Sequence, residues 1–289
     1  MIWLLLIPAV PVAVFLYAVF IERLSFKIRK VKIKAEIENP ISILHISDLH
    51  FRSGQRKKAR FLKSLVKLNP DLVINTGDNL GGVNQEDSTV SALKSLLTLP
   101  GAFVFGGNDY KGPVFKNPLS YLTKPSSKKK SPQLDIEKLT EGFAGWVNLN
   151  NDSKIIELNG QKIQLMGLDD PHEQFDNPAK LQKTVESKKV AYKIGVVHAP
   201  YHRAIQQLGL QGADLVLAGH THGGQVCLPS GRALVTNCDL PTEFAKGASS
   251  WSFDGQDVEL HVSAGLGTSI FAPFRLFCPP EVTLIEISS

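Results

Sequence analysis

Two histidines separated by one residue occur in the stretch Gly219-His220-Thr221-His222-Gly223. This stretch follows Leu215–Ala218, a short apolar run typical of a buried strand. The flanking glycines permit a sharp turn, in which both imidazoles can converge on neighbouring points. Imidazole is a common metal ligand, so the spacing favours a metal site at the end of this strand. An isolated His-x-His sequence at a strand end more often serves packing than metal binding. The interpretation therefore depends on groups elsewhere in the chain.

Further polar side chains follow other short apolar runs. They are Asp48 and His50 after residues 41–47, Asp78 after residues 72–75, Asn108 after residues 102–105, and His198 after residues 194–197. Stretches with helical spacing, including residues 56–68, 86–98 and 178–187, separate several of these runs. Alternating buried strands and amphipathic helices predict a largely parallel inner sheet covered by helices. Since ligands bind at the carboxyl ends of such strands, we expect these side chains to meet at one edge.

The predicted ligand set combines carboxylate, amide and imidazole groups and contains no thiolate. Its members are Asp48, His50, Asp78, Asn108, His198, His220 and His222. Mixed nitrogen and oxygen ligands suit Mn, Fe or Zn in a catalytic site. These seven groups are too many for one small cation. Two cations about 3.5 to 4 Å apart, bridged by one carboxylate, would use them all.

The order of these motifs resembles the calcineurin-like metallophosphoesterase family over roughly residues 41–289. The matching motifs are Asp48-Leu49-His50, Gly77-Asp78, Gly107-Asn108, His198 and Gly219-His220-Thr221-His222. Residues 219–225, with 265–269 and 279–282, resemble the bacterial membrane-associated branch of that family. The resemblance implies an α+β fold of four layers (α/β/β/α), in which two mixed β-sheets pack face to face with helices outside.

The resemblance also implies a role for each ligand. Asp48, His50 and His222 would hold the first metal, Asn108, His198 and His220 the second, and Asp78 would bridge the two. Two divalent cations and two aspartates leave the site about +2 in charge, which favours phosphate binding. A water bridging the metals would be acidic enough to act as a hydroxide nucleophile at phosphorus. The implied cofactors are two divalent metal ions (Mn, Fe or Zn).

The third motif departs from the pattern of the family, which usually has Gly-Asn-His-Asp. The chain reads Gly106-Gly107-Asn108-Asp109. If Asn108 is the metal ligand, Asp109 occupies the histidine position. If the segment aligns without a shift, Gly107 replaces the ligand asparagine and Asn108 replaces the histidine. Both alignments remove an imidazole, a general acid worth about 10²- to 10⁴-fold in rate.

The catalytic candidates are therefore Asp109, Asn108 and His198. His202 could replace the missing imidazole only if its loop turned inward, and a helix-surface position is the favoured interpretation. The cluster of Asp169, Asp170 and His172 is interpreted as a turn that supports the ligands from behind.

Residues 2–21 carry no charge and are long enough to cross a bilayer as a helix. A basic cluster follows: Arg23, Lys27, Arg29, Lys30, Lys32 and Lys34. No basic residue precedes the apolar run and no small-residue cleavage site ends it, which favours an anchor over a cleaved signal peptide. The positive-inside rule then predicts a single-pass protein of the cell membrane with a cytoplasmic catalytic domain.

The predicted domain organisation follows from these segments. It comprises a transmembrane anchor over residues 1–22, a basic juxtamembrane linker over 23–40, and a metallophosphoesterase domain over 41–289. An exposed insertion loop is expected at about 111–142, where prolines and the lysines at 128–130 interrupt the pattern.

The net charge of +5 depends on the basic cluster, without which 26 basic residues face 27 acidic ones. The charge balance therefore indicates a membrane surface and gives no reason to expect a nucleic-acid partner. The three cysteines, Cys227, Cys238 and Cys278, form no Cys-x-x-Cys pair and are typical of a reducing compartment.

The favoured function is a membrane-anchored dinuclear-metal phosphohydrolase that cleaves a phosphodiester or pyrophosphate bond. Its substrate would be a phosphorylated small molecule or lipid, such as a lipid-linked or nucleotide compound. A pyrophosphate has a good leaving group, so its cleavage would suffer least from the missing imidazole. The alternative is a metal-binding scaffold with impaired turnover that recognises a phosphorylated lipid or partner.

Overall fold

The computed structural model describes residues 2–114, 131–186 and 189–289. Within these ranges, twelve strands form two six-stranded sheets. The strand order of the first sheet is β1 (Lys27–Lys34), β12 (Glu281–Ser288), β2 (Ile41–Ile46), β3 (Leu72–Asn75), β4 (Gly101–Phe103) and β5 (Val147–Asn148). Strands β2 to β5 are parallel, and β12 is antiparallel to β2.

The second sheet has a parallel centre and antiparallel edges. Its strand order is β10 (Gly247–Phe253), β11 (Gln256–Val262), β9 (Leu215–Ala218), β8 (Tyr192–Val196), β7 (Gln161–Gly167) and β6 (Asp152–Leu158). Strands β7, β8, β9 and β11 are parallel, whereas the hairpins to β6 and β10 are antiparallel. Both sheets are mixed, so the two mixed sheets expected from the family resemblance are confirmed.

The helices lie on the outer faces of the two sheets. They are α2 (Arg56–Ser64), α3 (Glu86–Leu93) and α5 (Ile136–Gly142) on the first sheet, and α6 (Pro178–Thr184) and α7 (His202–Leu210) on the second. A separate apolar core lies between the sheets and includes Ile43 and Ile74 from one and Leu165 and Ile194 from the other. One short helix, α4 (Gly107–Tyr110), follows β4 at the edge where the strands end.

The N-terminal segment differs from the predicted transmembrane helix. Helix α1 covers Ile2–Leu16, and a π-helical turn follows at Tyr17–Ile21. In the described ranges, no helix combines the length and the apolar character needed to cross a membrane.

The predicted linker also differs, because its centre is strand β1. This strand pairs in parallel with β12 from Lys27 opposite Glu281 to Lys34 opposite Ser288. Val31, Ile33, Ala35 and Ile37 alternate with charged residues and pack into the core between the sheets. The charged residues hide this period-two pattern, so the sequence suggested a solvated linker. The folded domain therefore begins before residue 41.

The predicted insertion loop is only partly described. Residues 115–130, including the lysines at 128–130, lie outside the described ranges. Residues 136–142 form helix α5, whose Leu139 is fully buried beneath the first sheet. The final part of the predicted loop therefore belongs to the helical layer.

Candidate metal centre

Five of the seven predicted ligands have a left-handed backbone conformation. They are Asp48 (φ 48°), His50 (φ 38°), Asp78 (φ 56°), His220 (φ 69°) and His222 (φ 51°). Residues other than glycine rarely adopt positive φ, at a cost of about 1–3 kcal/mol each. Each of these residues follows a strand end, so the turn directs its side chain across the edge of the sheet. Such strain is typical of functional sites.

A first cluster contains Asp48, His50 and His222, whose possible ligand atoms all lie within 4.8 Å of one another. Nε2 of His222 lies 3.7 Å from Oδ1 of Asp48. The rings of His50 and His222 stack with centroids 5.0 Å apart. Turns after β2 and β9 thus bring three of the predicted ligands together.

A second cluster contains Asp48, Asp78 and His198, again with ligand atoms within 4.8 Å. Nδ1 of His220 lies 3.3 Å from Nε2 of His198. The backbone N–H and side-chain amide of Asn108 donate to Asp78 at 2.9 and 2.6 Å. All seven predicted ligand side chains therefore meet at one site.

Asp78 lies between the two clusters. Its Oδ2 is 3.4 Å from Nε2 of His50, and its Oδ1 is 3.5 Å from Nε2 of His198. Burial acts to raise the pKa of Asp78, but His198 and His50 hold it well below the usual range. Asp78 is thus an ionised carboxylate that reaches both groups of imidazoles.

Hydrogen bonds fix the orientation of two imidazoles. Nδ1 of His198 donates to the carbonyl of Thr76 at 2.7 Å, so its Nε2 presents a lone pair when the ring is neutral. Nε2 of His220 lies 3.3 Å from the carbonyl oxygen of Asn237. When Nε2 carries the ring proton and donates it to this carbonyl, Nδ1 presents a lone pair. These two lone pairs face each other at 3.3 Å. A cation between them would satisfy both.

Buried atoms without partners support the same conclusion. Among the described residues, Oδ1 of Asp48 and Nε2 of His50 are buried and make no hydrogen bond. Such atoms are costly unless a ligand satisfies them. Both atoms lie in the first cluster. The neighbouring groups that could bind a metal are carboxylates and imidazoles, which suit a catalytic transition-metal site. The residues present therefore fit a pair of divalent cations.

Burial prepares most of the histidines for metal binding. It lowers the pKa of His50, brings that of His220 to about 3, and holds that of His222 well below its usual value. Burial also acts to lower the pKa of His198, but Asp78 raises it well above its usual value. The first three rings are neutral near pH 7, as ligands must be, whereas His198 would exchange a proton for a cation.

Two glycines allow the backbone to approach the carboxylates closely. A Cβ on Gly106 would lie 2.3 Å from Oδ1 of Asp78, and one on Gly219 would lie 2.6 Å from Oδ2 of Asp48. Neither contact is sterically possible, so any side chain at these positions would displace a predicted ligand. This requirement explains the glycine that precedes the His220 turn.

Asp109 does not occupy the position predicted for a catalytic group. It is fully buried, and its Oδ1 accepts from the backbone N–H groups of Asn79 and Leu80 at 2.7 and 3.1 Å. Its Oδ2 accepts from Gly106 N–H and from the side chain of Asn79, both at 3.1 Å. Burial raises its pKa to about 7. Through these hydrogen bonds, Asp109 connects the start of α4 to the turn after β3. The other two catalytic candidates, Asn108 and His198, lie in the site.

Sequence reasoning undervalued Asp170 and His172. Asp170 is fully buried, and its Oδ2 makes no hydrogen bond among the described residues. The ring centroid of His172 lies 4.8 Å from that of His220. Both follow β7, which is parallel to β8 and β9 in the second sheet, so they lie at the same sheet edge as His198, His220 and His222. Their place after a strand was the available signal.

The remaining histidines lie elsewhere. His202 packs against Trp251 and Phe253, with ring centroids 5.8 and 5.2 Å away, so it does not replace the third-motif imidazole. His45 and His261 form a buried pair between the sheets, with Nδ1 atoms 3.0 Å apart.

Arg275 supports the first cluster from below and was not predicted. Its guanidinium is fully buried and donates to several backbone carbonyls. They are those of Ala264 at 2.7 Å, Gly267 at 2.8 Å, Gly265 at 3.2 Å, His222 at 3.2 Å and Cys278 at 3.2 Å. One side chain thus fixes the loops on either side of His222.

Lys58 lies beneath the turn that carries Asp48 and His50. It is buried, and its Nζ donates to the carbonyl of Leu49 at 2.6 Å. Burial and nearby arginines lower its pKa to about 7. An unfolded lysine keeps its proton up to about pH 10.4. Between these two pH values the unfolded state binds more protons, so this residue makes the folded state more stable as pH rises.

We expect Lys58→Met to reduce this pH dependence. The increase in the free energy of unfolding between pH 7 and 9 should fall by roughly 2–3 kcal/mol, since one proton contributes about 1.4 kcal/mol per pH unit. Urea unfolding at several pH values, with a chelator present, measures the effect. Lys57→Met is the matched control, because Lys57 is the exposed neighbour. Equal pH slopes in the two variants would contradict the buried, easily deprotonated lysine.

The protein belongs to the class in which two mixed sheets pack together and carry, at their strand ends, two adjacent clusters of carboxylate and imidazole groups. Residues 41–224 match the profile of the calcineurin-like phosphoesterase family, and this match covers more than half of the chain. The chain belongs to the calcineurin-like phosphoesterase family and is a metal-dependent phosphoesterase.

Several relatives share this similarity. The phosphodiesterase YaeI of Escherichia coli (strain K12) is 26% identical over 255 residues, covering 86% of this chain and 82% of that protein. The metallophosphoesterase YkoQ of Bacillus subtilis (strain 168) is 27% identical over 255 residues, covering 86% and 83%. The solved structure of the NAD nucleotidase NadN of Haemophilus influenzae has a TM-score of 0.51 at 14% identity, over 79% of this chain and 46% of that one. The last comparison concerns the fold alone.

Proposed function

We propose that the chain is a dinuclear-metal phosphohydrolase that cleaves a phosphodiester or pyrophosphate bond. The observation that carries this proposal is the position of Asp78, whose two carboxylate oxygens reach His50 on one side and His198 on the other. Asp48, His50 and His222 would hold one cation, and Asn108, His198 and His220 the other. The similarity to the phosphodiesterase YaeI supports the bond type.

The residues of the site have separable tasks. When bound, two divalent cations supply an acidified water as nucleophile and offset charge on the phosphoryl oxygens. Asp78 orients both sets of ligands, and its hydrogen bonds from Asn108 hold the third-motif turn against it. Thr76 fixes the ring of His198, and Arg275 fixes the loop of His222. The rigid ligands keep the site organised before substrate arrives.

The third motif supports the choice of substrate bond. Asn108 contacts Asp78, and Asp109 is buried among backbone N–H groups, so this motif presents no general acid. A leaving group that needs no proton, such as a phosphate of a pyrophosphate, is cleaved with the smallest loss. A simple alkyl phosphomonoester should be a poor substrate for the same reason.

The test uses the full-length chain in a mild detergent, because β1 belongs to the fold and a fragment starting at residue 41, the predicted start of the domain, would lack it. Turnover is measured with Mn²⁺, Fe²⁺ or Zn²⁺ on bis-p-nitrophenyl phosphate, a nucleotide pyrophosphate and an alkyl phosphomonoester. We expect activity on the first two that a chelator removes. An absence of turnover with all three metals would contradict the proposal.

The second candidate function is a metal-binding scaffold with impaired turnover that recognises a phosphorylated lipid or partner. The missing third-motif imidazole favours it. Tight binding of two cations and of inorganic phosphate without hydrolysis of any substrate would support the scaffold, and robust hydrolysis would exclude it.

We also propose that the chain works at the cytoplasmic face of the cell membrane on a lipid-linked or otherwise amphipathic substrate. Apolar side chains are exposed on the N-terminal segment, including Phe15 (58%) and Phe20 (62%). Others are exposed near the site, including Val235 (59%) and Phe277 (46%). Exposed apolar patches of this kind are typical of membrane or protein contact sites.

Hydrogen bonds connect these two apolar regions. The backbone N–H of Arg275 donates to the carbonyl of Ala18 at 3.2 Å, and that of Cys278 donates to Oε1 of Glu22 at 2.5 Å. Exposed basic residues of β1, such as Lys30 and Lys32, would add attraction to anionic lipids.

Flotation of the full-length chain with vesicles of phosphatidylglycerol and phosphatidylcholine tests membrane association. We expect binding that weakens in a Phe15→Ser, Phe20→Ser double variant, with Leu210→Ser, at an exposed leucine at the end of α7, as the control. A chain that stays below the vesicles would contradict this proposal.

A further inference from the structure

We propose that His172 supplies the substrate-contacting imidazole that the third motif lacks. It would donate a hydrogen bond to the phosphoryl group or to the leaving-group oxygen, without transferring its proton. This inference rests on the proposed phosphohydrolase function and assigns a role outside the seven predicted ligands.

The position of His172 is the first argument. Its ring centroid lies 4.8 Å from that of His220, and Nδ1 of His220 lies 3.3 Å from Nε2 of His198. His172 is therefore beside the second cluster, where Asn108 also lies. Its side chain is exposed, so a substrate entering from solvent can reach it.

The loop that carries His172 is attached to the third-motif helix α4. The hydroxyl of Tyr110 donates to the carboxylate of Asp169, with O–O distances of 2.8 and 2.9 Å. Lys111 forms an ion pair with Glu173. These contacts place His172 next to the motif whose imidazole is missing.

Gly107 provides a second link between the loop and the motif. A Cβ on Gly107 would lie 3.1 Å from Oδ2 of Asp170 and 3.2 Å from Cγ of Glu173. The loop therefore occupies the space that a longer side chain at residue 107 would need. A glycine at residue 107 thus leaves room for the loop that brings His172 to the site.

The imidazole is held on its other side as well. Nδ1 of His172 lies 2.9 Å from the hydroxyl of Tyr201, at the start of α7. In the proposed arrangement the Tyr201 hydroxyl donates to Nδ1, the ring proton is on Nε2, and Nε2 donates to the substrate. Arg203 donates to the carbonyl of Pro171 at 2.7 Å and fixes the backbone of the loop. A donor fixed in this way costs little reorganisation during the reaction.

The other histidines outside the ligand set do not offer this geometry. All eight histidines are in the described part of the chain. His202 packs on Trp251 and Phe253, and His45 and His261 are buried between the sheets. His172 is thus the imidazole best placed to contact a substrate at the second cluster.

The test compares full-length His172→Gln with His202→Gln, an exposed histidine that packs against Trp251. A series of aryl phosphodiesters with increasing leaving-group pKa is hydrolysed, and metal content is measured for each variant. We expect His172→Gln to lower kcat by about 10²-fold for the poorest leaving groups, the scale of one preorganised donor, and by less for p-nitrophenol. Tyr201→Phe should give a smaller loss of the same kind. Metal content should not change.

Binding of inorganic phosphate to the metal-loaded chain gives a readout independent of turnover. We expect His172→Gln to weaken it about 10-fold, with no effect of His202→Gln. If the wild type hydrolyses nothing but this difference persists, the phosphohydrolase proposal fails and the phosphate contact of His172 stands. Unchanged phosphate binding together with unchanged kinetics overturns the inference. A loss that accompanies loss of metal also overturns it, because His172 would then only support the ligands.

Discussion

Asp78→Asn should abolish measurable phosphodiester hydrolysis and reduce the bound metal well below two ions per chain. The carboxylate of Asp78 contacts His50, His198 and Asn108, so its loss affects both clusters at once. It also removes a negative charge from a buried site that two divalent cations would make strongly positive. Substitutions of groups that only support metal ligands already cost about 10- to 100-fold, so a bridging carboxylate should cost more than 100-fold.

Elemental analysis of the purified variant, together with its kcat/KM, measures both effects. Asp87→Asn is the control, because Asp87 is an exposed aspartate paired with Lys138 on the protein surface. It should retain full activity and both metals. An Asp78→Asn variant with two tightly bound ions and near-normal hydrolysis would show that Asp78 does not bridge the clusters, and the proposed function would lose its main support.

The position of the ligands could be predicted because it depends on local patterns. Each predicted ligand follows a short apolar run, and parallel strands of one sheet place their carboxyl ends at one edge. This rule brings Asp48 and Asp78 together in the first sheet and His198 and His220 together in the second. The face-to-face packing of the two sheets, which the family resemblance implied, joins the two pairs. The strand ends of Ile41–Ile46, Leu72–Asn75 and Leu215–Ala218 agree with the predicted runs within a residue. Two mixed sheets were expected from the family resemblance, because the periodicity alone indicates parallel strands without giving the edge pairing.

The features that were not predicted depend on contacts between distant residues. Strand β1 carries Lys30, Lys32 and Lys34 on its exposed face, and only its pairing with β12, about 250 residues later, makes it part of a sheet. Arg275 lies in an irregular segment rich in proline and phenylalanine, where no periodic pattern indicates burial. Its function became evident only when the carbonyls of residues 264–267 and His222 were seen around it.

The third motif shows the same limit at a single residue. From the sequence, Asp109 could be a substitute for a catalytic histidine, since it has the right spacing and a titratable side chain. The structure surrounds its two oxygens with the N–H groups of Gly106, Asn79 and Leu80. A carboxylate with its oxygens occupied in this way stabilises a turn and cannot contact a substrate. Composition and spacing do not reveal which N–H groups will surround a side chain.

Arg275→Met should destabilise the fold and weaken metal binding at the first cluster. The substitution keeps most of the apolar stem but removes the guanidinium, leaving the buried carbonyls of Ala264, Gly267 and Cys278 without their donor. An unsatisfied buried polar group costs about 1–3 kcal/mol. Because several are created together and can relax in part, we expect a loss of about 3–5 kcal/mol in the free energy of unfolding.

The metal effect follows from the contacts of Arg275 with His222. Its guanidinium donates to the carbonyl of His222 at 3.2 Å and approaches Nδ1 of the same ring at 3.5 Å. These contacts stabilise the unfavourable left-handed conformation of His222, and without them the turn can relax. Metal affinity should therefore fall by about 10- to 100-fold, as expected when a group supporting a ligand is removed.

Urea unfolding in the presence of a chelator measures the first effect, and metal titration at low urea measures the second. Arg275→Lys is an informative comparison, since a lysine keeps the charge but cannot reach carbonyls on both loops with a planar fork. It should recover only part of the stability. Arg60→Met, at an exposed arginine of α2, is the control and should change neither quantity. If Arg275→Met unfolds at the wild-type urea concentration and binds metal normally, the buried guanidinium does not hold the His222 loop, and the geometry of the first cluster must be maintained by its strand ends alone.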